Sequence, residues 1–218
     1  MTTADLFESM ASPLPPVEAI GPASYLLRGF ALSHADGLIG ALHDIAAAAP
    51  FRRMRTPGGA TMSVALTNCG MLGWVSDRHG YRYERIDPRT GRAWPPLPDA
   101  FSQLAREAAV QAGFDAFAPD ACLINRYLPG TKMSLHQDRD ERDFSAPIVS
   151  VSLGIPAVFQ FGGMARGDKA LRVPVFHGDV VVWGGVDRLR FHGVLPLKTA
   201  RHATLGEQRI NLTFRKAG

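Results

Sequence analysis

Arg209-Ile210-Asn211-Leu212-Thr213-Phe214-Arg215, near the end of the 218-residue chain, alternates polar and apolar side chains without a break. Successive side chains on a β-strand point to opposite faces. The pattern therefore predicts a strand with Ile210, Leu212 and Phe214 on a core face and Arg209, Asn211, Thr213 and Arg215 on the other. This strand closes a series. Beyond Pro119 the chain reads as short β-prone pieces at 122–128, 148–153, 157–161, 171–176, 180–183, 189–192 and 208–214. Turn material such as His177-Gly178-Asp179 and Gly184-Gly185 separates them. Many short strands at close spacing predict a mainly β (α+β) fold, a sandwich or a jelly roll.

Upstream the pattern changes. Residues 1–20 lack periodicity and contain Pro13, Pro15 and Pro16, which predicts an extended lead-in. A helix is predicted after Ser33, because Ser33-x-x-Asp36 resembles a capping arrangement and Leu38, Ile39, Leu42 and Ile45 recur at helical spacing before Pro50. Residues 51–96 mix Gly58-Gly59, short β-like pieces such as Met62 to Leu66, and the exit Trp94-Pro95-Pro96, the composition of a hairpin-rich, mobile flap. A second helix is predicted over 99–112, with Phe101, Leu104, Ala105 and Ala108 on one face and Gly113 as its stop. The expected organisation is a lead-in at 1–20, a supporting helix and flap at 21–96, and one compact core unit at 97–218.

Composition bounds the function. At this length the chain buries a substantial core. Lys plus Arg total 24 against 20 Asp plus Glu, a net charge of +4, and all but Lys132, Lys169, Lys198 and Lys216 are arginines. That modest excess permits phosphate binding without demonstrating it. No apolar run approaches membrane-spanning length. The first residues lack a basic segment followed by an apolar stretch, so no signal peptide is expected. Cys69 and Cys122, with a predicted helix between them and no metal spacing, are expected to be reduced structural thiols, as in cytosol. A cytoplasmic monomer with no membrane partner is the resulting expectation.

The chemistry-bearing residues are His136 and Asp138, in Ser134-Leu135-His136-Gln137-Asp138, and His192, fifty-four positions after Asp138. Two imidazoles and one carboxylate form the triad that holds non-haem Fe(II) while leaving positions open for a co-substrate and oxygen. An H-x-D pair alone also arises by chance, and a distal histidine is often a core residue. The polar face of the 209–215 strand changes the weighing, since a guanidinium fork binds a carboxylate in bidentate fashion, as an iron site using a keto-diacid requires. Asn125 and Tyr127 share a face of the 122–128 strand and can close such a pocket from another side.

Asn125-Arg126-Tyr127, His136-x-Asp138-x-Asp140, His192 and Arg209-x-Asn211-x-Thr213-Phe214-Arg215 together resemble the AlkB family of iron and 2-oxoglutarate-dependent nucleic-acid dealkylation dioxygenases. The resemblance extends upstream through Thr56-Pro57-Gly58-Gly59, Met62-Ser63-Val64, Thr67-Asn68-Cys69-Gly70, Gly73-Trp74 and Tyr81-x-Tyr83, so it covers residue 50 or so to the C-terminus. It implies a double-stranded β-helix (jelly roll) with supporting N-terminal helices and a nucleotide-recognition flap. It implies Fe(II) on His136, Asp138 and His192, with 2-oxoglutarate and O2 as co-substrates. Arg209 would hold the far carboxylate of the keto acid, and Asn125, Tyr127, Asn211 and Arg215 would complete its cradle. Tyr127 packed in the core and Arg215 as a surface cation are the competing readings.

For the substrate, the resemblance implies an N-alkylated base such as 1-methyladenine or 3-methylcytosine in DNA, single-stranded or flipped from a duplex, with RNA as a second candidate. Hydroxylation of the alkyl group would release formaldehyde. Trp74 is the candidate stacking residue, with core packing as its alternative. Asp140 would contact the base edge if the strand carrying His136 continues that far, its alternative being a solvated loop acid. Tyr81, Arg82 and Tyr83 would grip phosphate, unless the tyrosines only pack, and Arg166 is a weaker candidate of the same kind. The flap departs most from the bacterial pattern, with Ala60 where an aromatic can stand and with Arg78-His79 adding charge. An iron oxygenase acting on a protein or small molecule, and a non-catalytic jelly-roll binder, are the rival readings.

Overall fold

The computed structural model describes residues 16–218. Thirteen strands are distributed over a seven-stranded sheet, a four-stranded sheet and a separate hairpin. The large sheet contains β1 (Val17–Gly21), β2 (Ser24–Leu27), β3 (Ala65–Gly70), β6 (Ala121–Tyr127), β8 (Ile148–Gly154), β11 (Val180–Trp183) and β13 (Arg209–Arg215), in the order β1-β2-β11-β8-β13-β6-β3. The small sheet runs β10-β9-β12-β7, made of β7 (Met133–His136), β9 (Ala157–Phe161), β10 (Leu171–Val175) and β12 (His192–Val194). The hairpin is β4 (Gly73–Asp77) with β5 (Gly80–Glu84). All the pairings are antiparallel, and the architecture is the expected mainly β jelly roll.

The alternation of β13 decides how the layers divide. Its Ile210, Leu212 and Phe214 join Val149, Val151, Ile124 and Cys122 in a core beneath the two helices, α1 (Ala35–Ala48) and α2 (Asp99–Gln111). Leu38, Leu42, Phe101 and Leu104 supply the helical side of that core. Burying each such side chain contributes roughly 1.5–3 kcal/mol. A second core, including Leu26, Tyr127, Ile148, Phe159, Phe161 and Trp183, lies largely on the facing strands of the two sheets. The polar face of β13 looks into the space between the sheets.

Several expectations need correction. Residues 17–20 of the predicted lead-in are strand, because β1 pairs with β2 along one edge of the large sheet; residues 1–15 lie outside the described residues. Ser33 does not cap α1: it sits inside a 3-10 turn, Leu32–His34, and His34 takes the cap position without a side-chain hydrogen bond. A capping serine needs an extended backbone, which a helical turn denies it. The piece predicted at 189–192 is mostly loop, and β12 begins at His192. Gly193 permits β12 to lie against β7, since a Cβ there would come within 2.6 Å of the Met133 carbonyl oxygen. Cys69 and Cys122 are buried free thiols, as expected, and face each other in register across β3 and β6.

Candidate active site

The β12–β7 register sets His192 opposite His136, with ring centroids 4.4 Å apart. Asp138 follows two residues beyond the end of β7, so the three ligand atoms of His136, Asp138 and His192 converge within 4.8 Å of one another. The Nδ1 of His136 is 2.9 Å from the Ser134 carbonyl oxygen, and that of His192 is 3.0 Å from the Arg190 carbonyl oxygen. A carbonyl only accepts, so each Nδ1 donates, which in a neutral ring leaves the lone pair on Nε2. Burial, reinforced by the neighbouring His136, lowers His192 to about 4, so it is a neutral imidazole at neutral pH. The Nε2 atoms stand 3.6 and 3.7 Å from the Asp138 carboxylate oxygens. The three atoms lie beyond hydrogen-bond distance of one another, at a separation that a divalent cation placed among them would bridge. The donor set, two nitrogens and one oxygen with an open side, fits iron.

Arg209 points to a second ligand, an anion. It is 2% exposed, donates one hydrogen bond from Nη2 to the Ser152 hydroxyl at 2.8 Å, and leaves Nε and Nη1 buried and unpaired. No ion pair among the described residues involves it. Burial pulls its pKa down, with Tyr127 opposing. An unpaired buried guanidinium is costly, and a carboxylate arriving from the cleft would neutralise it and take up an idle donor. Tyr127 lies opposite Arg209 in register, its ring 5.1 Å beneath the guanidinium carbon. Asn125, opposite Asn211, also has a buried oxygen without a partner, whereas Asn211 is tied to Ser150, Val151 and Thr213. The polar face of β13 and its neighbours thus fits an anion that carries further polar groups.

These groups share one cleft of about 470 Å³, and every sequence-named candidate except Arg82 lines it. Arg82 lies on the opposite face of β5 from Tyr81 and Tyr83, with its guanidinium held by Asp77 at 2.9 Å and Glu84 at 2.7 Å. In the ligand-free protein its charge is thus turned to neighbouring acids and away from the cleft. Arg215 lines the cleft, and its guanidinium is turned toward the metal-binding carboxylate: its Nη2 donates to Asp138 Oδ2 at 2.6 Å and its Nε to the same oxygen at 3.0 Å. Burial alone would raise the Asp138 carboxyl, but the Arg215 guanidinium and the two histidines outweigh it and hold that carboxyl well below the usual carboxylate range. Tyr83 donates its hydroxyl to Glu141 at 2.7 Å rather than keeping it for a phosphate.

Trp74 lies parallel to Tyr81, centroids 5.5 Å apart, and Asn68 clamps its backbone on both sides through 3.0 Å hydrogen bonds. Its indole Nε1 donates to Asp140 Oδ2 at 2.8 Å. The strand carrying His136 ends at His136, so Asp140 reaches the cleft from a loop and not by strand alternation. Arg166 donates to the Leu135 carbonyl and lies 5.0 Å over the Phe191 ring. Sequence reasoning passed over Glu141 and Arg188. Both are buried, and Arg188 donates to the Asp138 carbonyl at 2.7 Å and to Glu141 at 3.1 Å. No local pattern marks either one; Arg188 is 50 residues from its partner.

Residues 24–215 match the family described as the 2OG-Fe(II) oxygenase superfamily, and the cation-seeking triad beside an anion-seeking arginine is a site of that class: the chain is an Fe(II)- and 2-oxoglutarate-dependent dioxygenase. The alpha-ketoglutarate-dependent dioxygenase AlkB of Salmonella typhimurium is 56% identical over 213 residues, covering 98% of this chain and 97% of that protein. Within the superfamily the chain belongs to the AlkB family. The Arabidopsis thaliana DNA N(6)-methyladenine demethylase ALKBH1C is 34% identical over 171 residues, 66% of this chain and 38% of that protein. The solved structure of OsALKBH1 superposes with a TM-score of 0.81 at 30% identity, covering 92% of this chain and all of that one.

Proposed function

We propose that this dioxygenase oxidatively removes N-alkyl groups from nucleobases in DNA and, as a second substrate, RNA. The observation that carries the proposal is the shared cleft: the His136–Asp138–His192 triad and Arg209 line its floor, and the aromatic hairpin residues Trp74 and Tyr81 line the same space. His136, Asp138 and His192 would hold Fe(II). With 2-oxoglutarate and O2, the metal supplies an oxidation in which the keto acid becomes succinate and CO2 and the second oxygen atom becomes a hydroxyl on the N-alkyl carbon. The resulting hemiaminal on a methylated base then breaks its C–N bond, giving formaldehyde and the unmodified base.

The chain's own residues do the positioning. Arg209 would take the distal carboxylate, and Asn125 and Tyr127 would complete that end of the cradle. Trp74 would stack on the flipped base. Asp140, fixed by the indole N–H, would favour a base carrying positive charge, as 1-methyladenine and 3-methylcytosine do. Charge placement supports a nucleic-acid partner. Residues 51–96 contain eight arginines, no lysine and three acids, a net +5 in a chain whose total is +4. Arg52 pairs with Asp87 and Arg82 with Asp77 and Glu84, while Arg53, Arg55, Arg78, Arg85, Arg89 and Arg92 are exposed.

On this reading residues 21–96 provide the recognition flap and 97–218 the oxygenase core, working as a cytoplasmic monomer. No helix among the described residues is long and apolar enough to cross a membrane. The test is anaerobic loading with Fe(II) and 2-oxoglutarate, then oxygen exposure with a 1-methyladenine oligonucleotide. Loss of the methyl group by mass, with matching succinate and formaldehyde, is expected. Keto-acid turnover with every methylated oligonucleotide unchanged would move the substrate to a protein or small molecule.

A further inference from the structure

Glu141 is a buried carboxylate that the proposed reaction does not use, yet it stands where three separate parts of the molecule meet. Its Oε1 accepts the Tyr83 hydroxyl of β5 at 2.7 Å and lies 3.2 Å from Arg215 Nε of β13. Its Oε2 accepts from Arg188 Nη2 at 3.1 Å. Both arginines also hold Asp138, Arg215 through the side-chain oxygen Oδ2 and Arg188 through the backbone carbonyl. We infer that Glu141 is a positioning residue that links the flap hairpin to the metal-binding carboxylate, so that seating the hairpin and orienting Asp138 become one event. The inference rests on the metal-site reading given above.

Sharing of single atoms gives the link its physics. Arg215 Nε donates to Asp138 Oδ2 at 3.0 Å while lying within ion-pair distance, 3.2 Å, of Glu141 Oε1, and that same Oε1 accepts from Tyr83. While Tyr83 donates, part of the charge on Oε1 is satisfied and Arg215 stays on Asp138. When the hairpin withdraws, Oε1 is left without its hydroxyl donor and draws the guanidinium toward itself. Asp138 Oδ2, which also faces His192 Nε2 at 3.7 Å, is then no longer held at a fixed angle. The other polar tie from the hairpin to this loop, donated by the Trp74 indole, ends on Asp140 and not on an arginine that holds Asp138. Buried groups that share hydrogen bonds in this way act as a unit.

The experiment titrates the full chain, free of iron and under anaerobic conditions, with Co(II) alone, followed by the visible absorption of the bound ion. Tyr83→Phe keeps the ring and removes the hydroxyl. It is expected to weaken Co(II) binding about three- to tenfold and to alter the spectrum, because partners that orient a ligand typically account for 10–100-fold in metal affinity and Tyr83 acts one step further out. Glu141→Gln should weaken binding at least as much, and Arg82→Gln, which perturbs the hairpin away from Glu141, should leave it unchanged. By reciprocity, Co(II) should slow deuterium exchange of the β4–β5 amides in the parent chain and not in Tyr83→Phe. Co(II) affinity and spectrum identical to the parent in a folded Tyr83→Phe would overturn the inference. Failure of the parent to bind Co(II) better than His136→Ala would instead overturn the metal site beneath it.

Discussion

Arg209 offers the sharpest test, because the structure sets opposite signs for two measurements on one variant. Replacing it by methionine keeps the stem and removes a buried cation with two unpaired donors. In the ligand-free protein that cation gains the Ser152 hydrogen bond and the Tyr127 ring beneath it but no counter-ion among the described residues, so its removal should leave thermal stability unchanged or raise it, as replacing poorly paired buried charge by apolar side chains does elsewhere. Toward 2-oxoglutarate the same change removes hydrogen bonds between ionised groups, each contributing about 1.5–3 kcal/mol. Allowing for non-additivity, a loss of about 3 kcal/mol, or roughly a hundredfold in affinity, is expected. Calorimetric titration of 2-oxoglutarate into Co(II)-loaded protein reads the affinity, and melting with and without the keto acid reads the stability. The parent should melt higher with ligand, and Arg209→Met should show no such rise. If Arg209→Met binds 2-oxoglutarate within threefold of the parent, the idle donors do not face the keto acid, and the cradle must be rebuilt around another cation.

What could be read from the sequence was whatever a short-range rule controls. The 209–215 strand declares itself because alternation is local, and β13 runs over Arg209–Arg215 with Ile210, Leu212 and Phe214 in the helix-side core. The H-x-D pair is local too, and the distal His192 joins it by cross-strand register. The roles of Arg209 and Arg215 were not separable in this way. They share one face, six residues apart, and differ only in what stands opposite: a serine and the open cleft for one, Asp138 for the other, 77 residues distant in sequence. Arg82 parts from Tyr81 and Tyr83 for a related reason, since one step along a strand turns a side chain to the other face. β1 is a short edge strand behind prolines, and β12 has three residues, too few for periodicity to register. Glu141 is one acid in a charged stretch, Asp138-Arg139-Asp140-Glu141, and only long-range packing makes it a buried junction.

Trp74→Ala should weaken binding of a methylated oligonucleotide by roughly 1–3 kcal/mol, the scale of base–aromatic stacking, while Co(II) and 2-oxoglutarate affinities hold; an unchanged oligonucleotide affinity would make Trp74 a packing residue. Exchanging Arg85, Arg89 and Arg92 together for glutamine should lower the slope of log affinity against log salt by about 0.7 for each phosphate of a single strand that is no longer neutralised. An unaltered slope would remove that part of the flap from the footprint. A pH effect is expected away from the site, at His177, whose Nδ1 accepts the Gly154 N–H at 3.0 Å and whose ring lies 4.3 Å from that of His202. Burial first, and then His202, lowers its pKa below the ordinary value of 6.5, with exposed Asp36 opposing. The unfolded chain therefore takes up a proton before the folded one, and the contribution of His177 to stability, full above the ordinary histidine value, is lost as pH falls toward its lowered folded value. His177→Asn should accordingly flatten the fall in melting temperature as pH drops below the ordinary histidine value of 6.5, measured with Co(II) bound so that His192 does not titrate. A profile as steep as the parent's would show that His177 is protonated equally readily in both states, and that its bond to Gly154 does not exclude the proton.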